Sequence, residues 1–513
     1  MLAPDEDDPL RPRVTPLDEH NRALLAHVHP PGWSNPEPRR RYHLVVVGAG
    51  TAGLVTAAGA AGLGAEVALV ERHLMGGDCL NVGCVPSKAL LAAARVWQTV
   101  MTGSAFGAPP HIGSGDFAVV MERMRRLRAG IAAHDSARRF QQLGVDVFLG
   151  EGRFVSGEAV EVGGKRLRFR RAVVATGGRP TAPPVPGLEE AGYLTNETVF
   201  SLVELPRRLA VIGGGPIGCE LAQALARFGS QVTLFDVMPR VLPREDPDAA
   251  ELVRRALERD GIRLELGVEL AAVERQGEDT VIRFTREGER DWITADAILV
   301  AAGRAPNVEG LGLEEAGVEH TPKGVKVDDR FRTTNPRIYA CGDVASPYQF
   351  THAADAQARA VLRNVLALAM GHRRAGDLVI PWCTYTSPEV AHLGLYEEEA
   401  RQRGIEVETL RVELSSVDRA VLDGEAEGFL KVHYRKGSDA ILGATVVAAD
   451  AGDLLAPLCL AVGQKVGLGK IADTIFPYPT QAEVIKRAAD AWNRQRLTPA
   501  AKRLLHWRLR LLR

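Results

Sequence analysis

The chain has 513 residues, 25% charged and 46% hydrophobic, with a formal net charge of −1. That length exceeds what one hydrophobic core serves, so several domains are expected. A near-neutral balance without a basic domain gives no reason to invoke nucleic acid, and six cysteines in so long a chain are not a secreted disulfide scaffold.

Residues 1–40 hold eight prolines around one predicted helix at 17–28, and read as an extension that lies on the body or is partly disordered. The start, Pro4-Asp5-Glu6-Asp7-Asp8, is acidic and lacks an apolar stretch, which reads against a secretory signal and for a cytoplasmic protein. Residues 44–65 are uncharged and would score as a membrane span, but their six glycines fit a buried strand, turn and helix better. The apolar run 44–47 leads into Gly48-Ala49-Gly50-Thr51-Ala52-Gly53 and a small-residue helix at 54–61. This is a dinucleotide fingerprint: Gly48 allows the tight turn, Gly50 lets the backbone approach a pyrophosphate, and Gly53 lets helix and strand pack. A second strand at 67–70 ends in Glu71, about twenty residues on, the spacing of a carboxylate that holds a ribose hydroxyl.

Next comes Gly76-Gly77-Asp78-Cys79-Leu80-Asn81-Val82-Gly83-Cys84-Val85-Pro86-Ser87-Lys88, two cysteines immediately before a predicted helix at 89–100. A helix amino end stabilises a thiolate, so Cys84 is expected to be the more acidic thiol, with Lys88 one turn further on the same side. The fingerprint then recurs: a strand at 209–212, Gly213-Gly214-Gly215-Pro216-Ile217-Gly218, a helix at 219–228, a strand at 231–235 and Asp236. Two such units imply two dinucleotides. The unit carrying the dithiol takes a tightly held flavin, and the second takes a nicotinamide cofactor that feeds it. Asp236 would accept from both ribose hydroxyls and repel a 2′-phosphate, favouring NADH over NADPH, although Arg240 or Arg244 could reach a phosphate.

With these motifs go Ala175-Thr176-Gly177, Ala302-Gly303-Arg304-Ala305-Pro306-Asn307 and Ile338-Tyr339-Ala340-Cys341-Gly342-Asp343. Together they resemble the class I pyridine nucleotide–disulfide oxidoreductases, which include dihydrolipoamide dehydrogenase, glutathione reductase and mercuric reductase, over residues 42–493. The resemblance implies an α/β fold with two Rossmann-like domains, for FAD and NAD(P), and a C-terminal α+β dimerisation domain. The implied domains are an extension (1–40), FAD-binding parts (41–187 and 309–378), an NAD(P)-binding domain (188–308), an interface domain (379–493) and a basic tail (494–513). Strands at 429–434 and 441–447 and helices at 451–466 and 482–492 would build the interface domain. By the resemblance Cys84 contacts the flavin and Cys79 is the outer, interchange thiol. Lys88 lies near the flavin's hydride-accepting nitrogen, paired with Glu220, and Asp343 meets the ribityl and pyrophosphate region. Thr176, Gly177 and Gly303 belong to the cofactor-binding motifs.

Disulfide-reducing members carry a histidine where this chain has Tyr478, within Phe476-Pro477-Tyr478-Pro479-Thr480-Gln481-Ala482-Glu483, while the spacing to Glu483 is kept. A tyrosine titrating near 10 is a poor general base at neutral pH, so disulfide exchange is disfavoured. The frame looks like mercuric reductase, in which Tyr478 and Glu483 would complete the active site of the partner subunit in a homodimer. Cys79 and Cys84 would then hold a soft substrate ion transiently. The chain departs from well-studied mercuric reductases in having no cysteine before Cys79 and none in its last residues; Cys383 is a candidate substitute shuttle. Two other readings remain: a reductase of a small disulfide or quinone-type acceptor, and a flavin-bound sensor or interaction protein with little turnover. The tail, 494–513, has seven basic residues and no acid. Arg503, His506, Arg510 and Arg513 share one helical face, and Leu505, Leu509 and Leu512 another. It reads either as a helix packed on its own dimer or as one making weak contact with an anionic membrane surface.

Overall fold

The computed structural model describes residues 12, 14–109, 115–277, 279–366 and 371–512. The acidic start at residues 4–8 and Arg513 lie outside the described residues. The chain forms two compact units, one from residues up to 237 together with 262–378, the other from 238–261 together with those from 379 on.

The first unit holds both nucleotide-binding sheets. In one, β1 (Tyr42–Val47), β2 (Val67–Glu71), β3 (Val145–Leu149) and the inner part of a long strand run parallel in the order β3-β2-β1-long strand, and Ile338–Ala340 adds beyond it. The outer part of that long strand, Lys165–Val174, pairs antiparallel with Ala159–Val162, and so departs from the parallel layer. Leu44, Val45 and Val46 are fully buried, as the continuous apolar run of a strand covered on both faces demands. Helix α1 (Glu19–Val28) is capped by Asp18 and buries Leu24 and Val28 in this core; α2 (Thr51–Gly62) follows β1. The described part of the extension therefore lies on the body: Trp33 Nε1 and Asn35 Nδ2 donate to the Val147 and Leu149 carbonyls on the edge strand, at 3.3 and 2.8 Å.

The second sheet repeats the first in miniature, parallel strands Arg263–Leu266, Gln231–Asp236, Arg208–Ile212 and Ala297–Val300 in that order, with the helix Pro216–Arg227 after the glycine turn. In the other unit, five antiparallel strands run in the order Trp382–Thr384, Glu389–Gly394, Ile441–Ala448, Phe429–Arg435, Val407–Glu413. Helices Ala451–Gly463 and Glu483–Gln495 share its apolar core through Leu455, Leu458, Val484 and Ile485. The helix Pro247–Arg259 belongs to this unit, tied down by Lys431 to Asp246 at 2.8 Å and by Trp382 Nε1 and Tyr396 Oη to Glu245 at 2.7 Å each. The architecture is thus the expected one: two Rossmann-like parallel sheets and an α+β unit. The uncharged segment 44–65 is strand, turn and helix, and no described helix is long and apolar enough to cross a membrane.

Candidate active site

The two glycine turns are built alike. Gly48 (φ +103°) and Gly213 (φ +114°) take a backbone conformation that L side chains rarely adopt, and a Cβ there would meet the carbonyl oxygens of Ala175 and Ala301 at 2.3 and 2.6 Å. Each third glycine touches the first: a Cβ on Gly53 or Gly218 would lie 1.8 Å from the Gly48 or Gly213 carbonyl oxygen. The middle glycines differ, since a Cβ on Gly215 would meet nothing within 4 Å and one on Gly50 only Gly77 Cα at 3.7 Å. These open cradles at helix amino ends are what the pyrophosphates of FAD and a nicotinamide dinucleotide require. The acids match too. Glu71 Oε2 accepts from Ala49 N at 2.7 Å and Asp236 Oδ2 from Gly214 N at 2.6 Å. Burial pushes the Glu71 carboxyl above its ordinary value.

The cysteine pair sits beside the first turn. Cys79 lies in a short helix, α3 (Gly77–Asn81), and Cys84 is the first residue of α4 (Cys84–Thr102). The helix thus starts five residues before the expected 89, because Pro86 falls in its first turn, where a missing N–H costs nothing. Thr351 Oγ1, at the start of the helix Thr351–Val365, lies 3.4 Å from Cys84 Sγ. The sulfur therefore sits at the amino ends of two helices. The Cys84 thiol is lowered to about 6, first by its hydrogen bond with Cys79 and then by Thr351 and Lys88, against the opposing effect of burial. The Cys79 thiol is pushed up by that same bond and by burial. Cys84 is thus the acidic thiol, but its partner sulfur contributes more to this than the nearby Lys88.

Lys88 Nζ, one turn along α4, donates to Glu220 Oε2 at 2.7 Å; Glu220 is buried in the helix Pro216–Arg227, so the pair joins the dithiol side to the second nucleotide turn. Asp343 approaches Arg304 at 3.7 Å, and Arg304 also pairs with Asp78, the residue before Cys79. Burial, more than the opposing Arg304, raises the Asp343 carboxyl to about 6. Thr176 Oγ1 donates to the Asn307 carbonyl at 2.7 Å while Asn307 Nδ2 returns a bond to Thr176 O, locking the loops around Gly177. Gly303 lies against Thr181, whose N–H donates to its carbonyl.

Among these, Asp78, Arg304 and Thr351 have no role in the sequence reading. Asp78 and Arg304 stand inside quoted motifs and were legible as opposite charges flanking cofactor elements. Thr351 is remote in sequence and carries no local signal.

In the other unit, Tyr478 is 70% exposed and its Oη donates to Asp418 Oδ2 at 2.9 Å, which raises the phenol. Glu483 Oε1 accepts from Arg487 Nε at 3.0 Å, while Oε2 is buried with no hydrogen-bond partner among the described residues. Cys383 is half-buried with Sγ 3.8 Å from Glu389 Oε2. Arg240 Nη2 donates to the Pro243 carbonyl of its own loop at 2.7 Å.

With two nucleotide cradles, a dithiol between them and a separate α+β unit, the chain belongs to the pyridine nucleotide-disulphide oxidoreductases, matching that family over residues 42–358 and its dimerisation domain over 380–489. It is an FAD- and pyridine nucleotide-dependent disulfide oxidoreductase, and the dimerisation domain supports a homodimer. It is 36% identical to the mercuric reductase of Staphylococcus aureus over 450 residues, 87% of this chain and 82% of that protein. It is also 36% identical to the dihydrolipoyl dehydrogenase of Thermus scotoductus over 464 residues, 89% of this chain and 98% of that one. Among solved structures, the HOCl-induced flavoprotein disulfide reductase RclA from Escherichia coli is similar, with a TM-score of 0.77 and 26% identity. That match covers 88% of this chain and 99% of the other. Equal identity to two enzymes with different acceptors leaves the acceptor to the site's chemistry.

Proposed function

We propose that the protein uses electrons from NADH first to reduce the Cys79–Cys84 disulfide and then to reduce a soft metal ion, Hg(II), its substrate, held by the two sulfurs. The observation that carries this reading is Tyr478. Its phenol, raised further by Asp418, can position or ligate but cannot take and return protons at neutral pH as efficient dithiol–disulfide exchange requires. The thiolate at Cys84 with Cys79 beside it supplies two soft sulfur ligands.

When bound, FAD supplies the two-electron relay between the nicotinamide and the cysteines. Gly48, Gly50, Gly53, Glu71, Thr176, Gly177, Asp343 and Lys88 would hold it, and Gly213, Gly215, Gly218, Asp236 and Gly303 the nicotinamide dinucleotide. Lys88, ion-paired with Glu220, keeps a fixed positive charge next to the developing thiolate. Two electrons open the Cys79–Cys84 disulfide to a dithiol. Two more, delivered while the sulfurs bind Hg(II), yield Hg(0) and free the thiolates. NADH is favoured over NADPH because Asp236 presents a carboxylate to the ribose site and Arg240 is engaged by its own loop. A reducing cytoplasm suits a dithiol that must stay reduced between turnovers. Tyr478 and Glu483 would act in the active site of the partner subunit.

A Tyr478→His variant tests the reading. With an imidazole restored, turnover of a small disulfide should rise by about tenfold or more while Hg(II)-dependent NADH oxidation does not. Unchanged disulfide turnover would show that this position does not select the acceptor.

A further inference from the structure

The helix Pro499–Leu511 is not explained by the redox site. It is capped by Thr498, whose hydroxyl accepts from Ala501 N, with Pro499 in its first turn. Every residue from Lys502 to Leu512 is exposed. At about 100° per residue, Lys502, Arg503, His506 and Arg510 fall within roughly one quarter to one third of the circumference. Leu504, Trp507 and Leu511 lie to one side of them, and Leu505, Leu509 and Leu512 to the other. Arg508 falls midway between the two apolar groups, and its long stem lets its charge reach a polar boundary. Five large apolar side chains exposed on the helix, with Leu512 at its end, form a surface that needs a cover.

Charge identifies the cover. Residues 494–513 contain seven Lys or Arg and no Asp or Glu, so a second copy of the helix would bring like charges together. The dimerisation domain match ends at residue 489, before this helix. A narrow basic face beside a broad Leu and Trp face is the composition of a helix that lies in a membrane interface, apolar side toward the acyl chains and cations toward anionic headgroups. We propose that this helix docks the enzyme peripherally on a bilayer leaflet rich in anionic phospholipid.

The test is flotation of the FAD-loaded full chain with vesicles of phosphatidylglycerol and phosphatidylcholine, against vesicles of phosphatidylcholine alone. The proposal requires recovery about tenfold higher on the anionic vesicles, falling as salt screens the headgroups. Arg503→Glu with Arg510→Glu, and separately Leu505→Asp with Leu509→Asp, should each abolish the difference while leaving NADH oxidation and FAD content unchanged. Equal recovery on both vesicle types, or variants that float like the parent, would overturn it. So would conversion of dimer to monomer by the leucine variant, since a second copy would then be the cover. None of these outcomes bears on the choice of acceptor.

Discussion

At the scale of single residues, the account turns on the asymmetry of two sulfurs. Cys84, lowered to about 6, is ionised above that pH and loses its charge as pH falls through it, whereas Cys79 stays protonated across the neutral range. Alkylation of the reduced protein, followed by peptide mapping, should therefore modify Cys84 with a midpoint near pH 6, and Thr351→Val should move that midpoint upward. An unmoved midpoint would remove Thr351 from the set of groups that hold the thiolate. Arg304 makes a second case. It stands between Asp78 and Asp343, and Arg304→Met should lower stability by about 2 kcal/mol by leaving two half-buried carboxylates facing each other; an unchanged thermal melt would contradict this. The sequence shows the cysteines and Lys88 plainly because they are neighbours in the chain. It hides Thr351, which the fold alone brings from another helix to the sulfur, and it hides the bond from Tyr478 Oη to Asp418.

At the scale of elements, the two glycine turns stand out in the sequence, and each glycine in them meets a backbone contact or an open cradle of the kind a dinucleotide would need. The positions can be told apart by experiment. Gly218→Ala puts a methyl on the Gly213 carbonyl and should cost about 2–3 kcal/mol of stability. Gly215→Ala meets only open space and, in an extended backbone conformation, should leave the melt unchanged while weakening binding of the nicotinamide dinucleotide. Equal melts for the two variants would contradict the geometry. Helix starts were less legible: α4 begins at Cys84 rather than beyond Lys88, since Pro86 looks like a breaker in sequence but is tolerated in a first turn. The helix Pro247–Arg259 follows the second fingerprint in the chain, yet packs with the five-stranded unit through Asp246 and Glu245. No periodicity reports such long-range ion pairs and hydrogen bonds.

At the scale of the whole molecule, the account requires two chains for one working site. Mixed dimers of Cys84→Ser and Tyr478→Phe chains should regain Hg(II)-dependent turnover that neither homodimer shows, because one of their two sites keeps both residues. Absence of recovery, with Tyr478→Phe itself inactive, would count against a shared site. More direct to test is whether a reduced Cys79–Cys84 pair served by Tyr478 holds a soft metal ion while electrons from NADH reduce it. The measurement is anaerobic consumption of NADH by FAD-loaded protein with either Hg(II) in excess thiol or a panel of small disulfides as acceptor. Turnover driven by Hg(II), with only slow turnover on disulfides, is the expected result. Rapid disulfide reduction without a response to Hg(II) would contradict it.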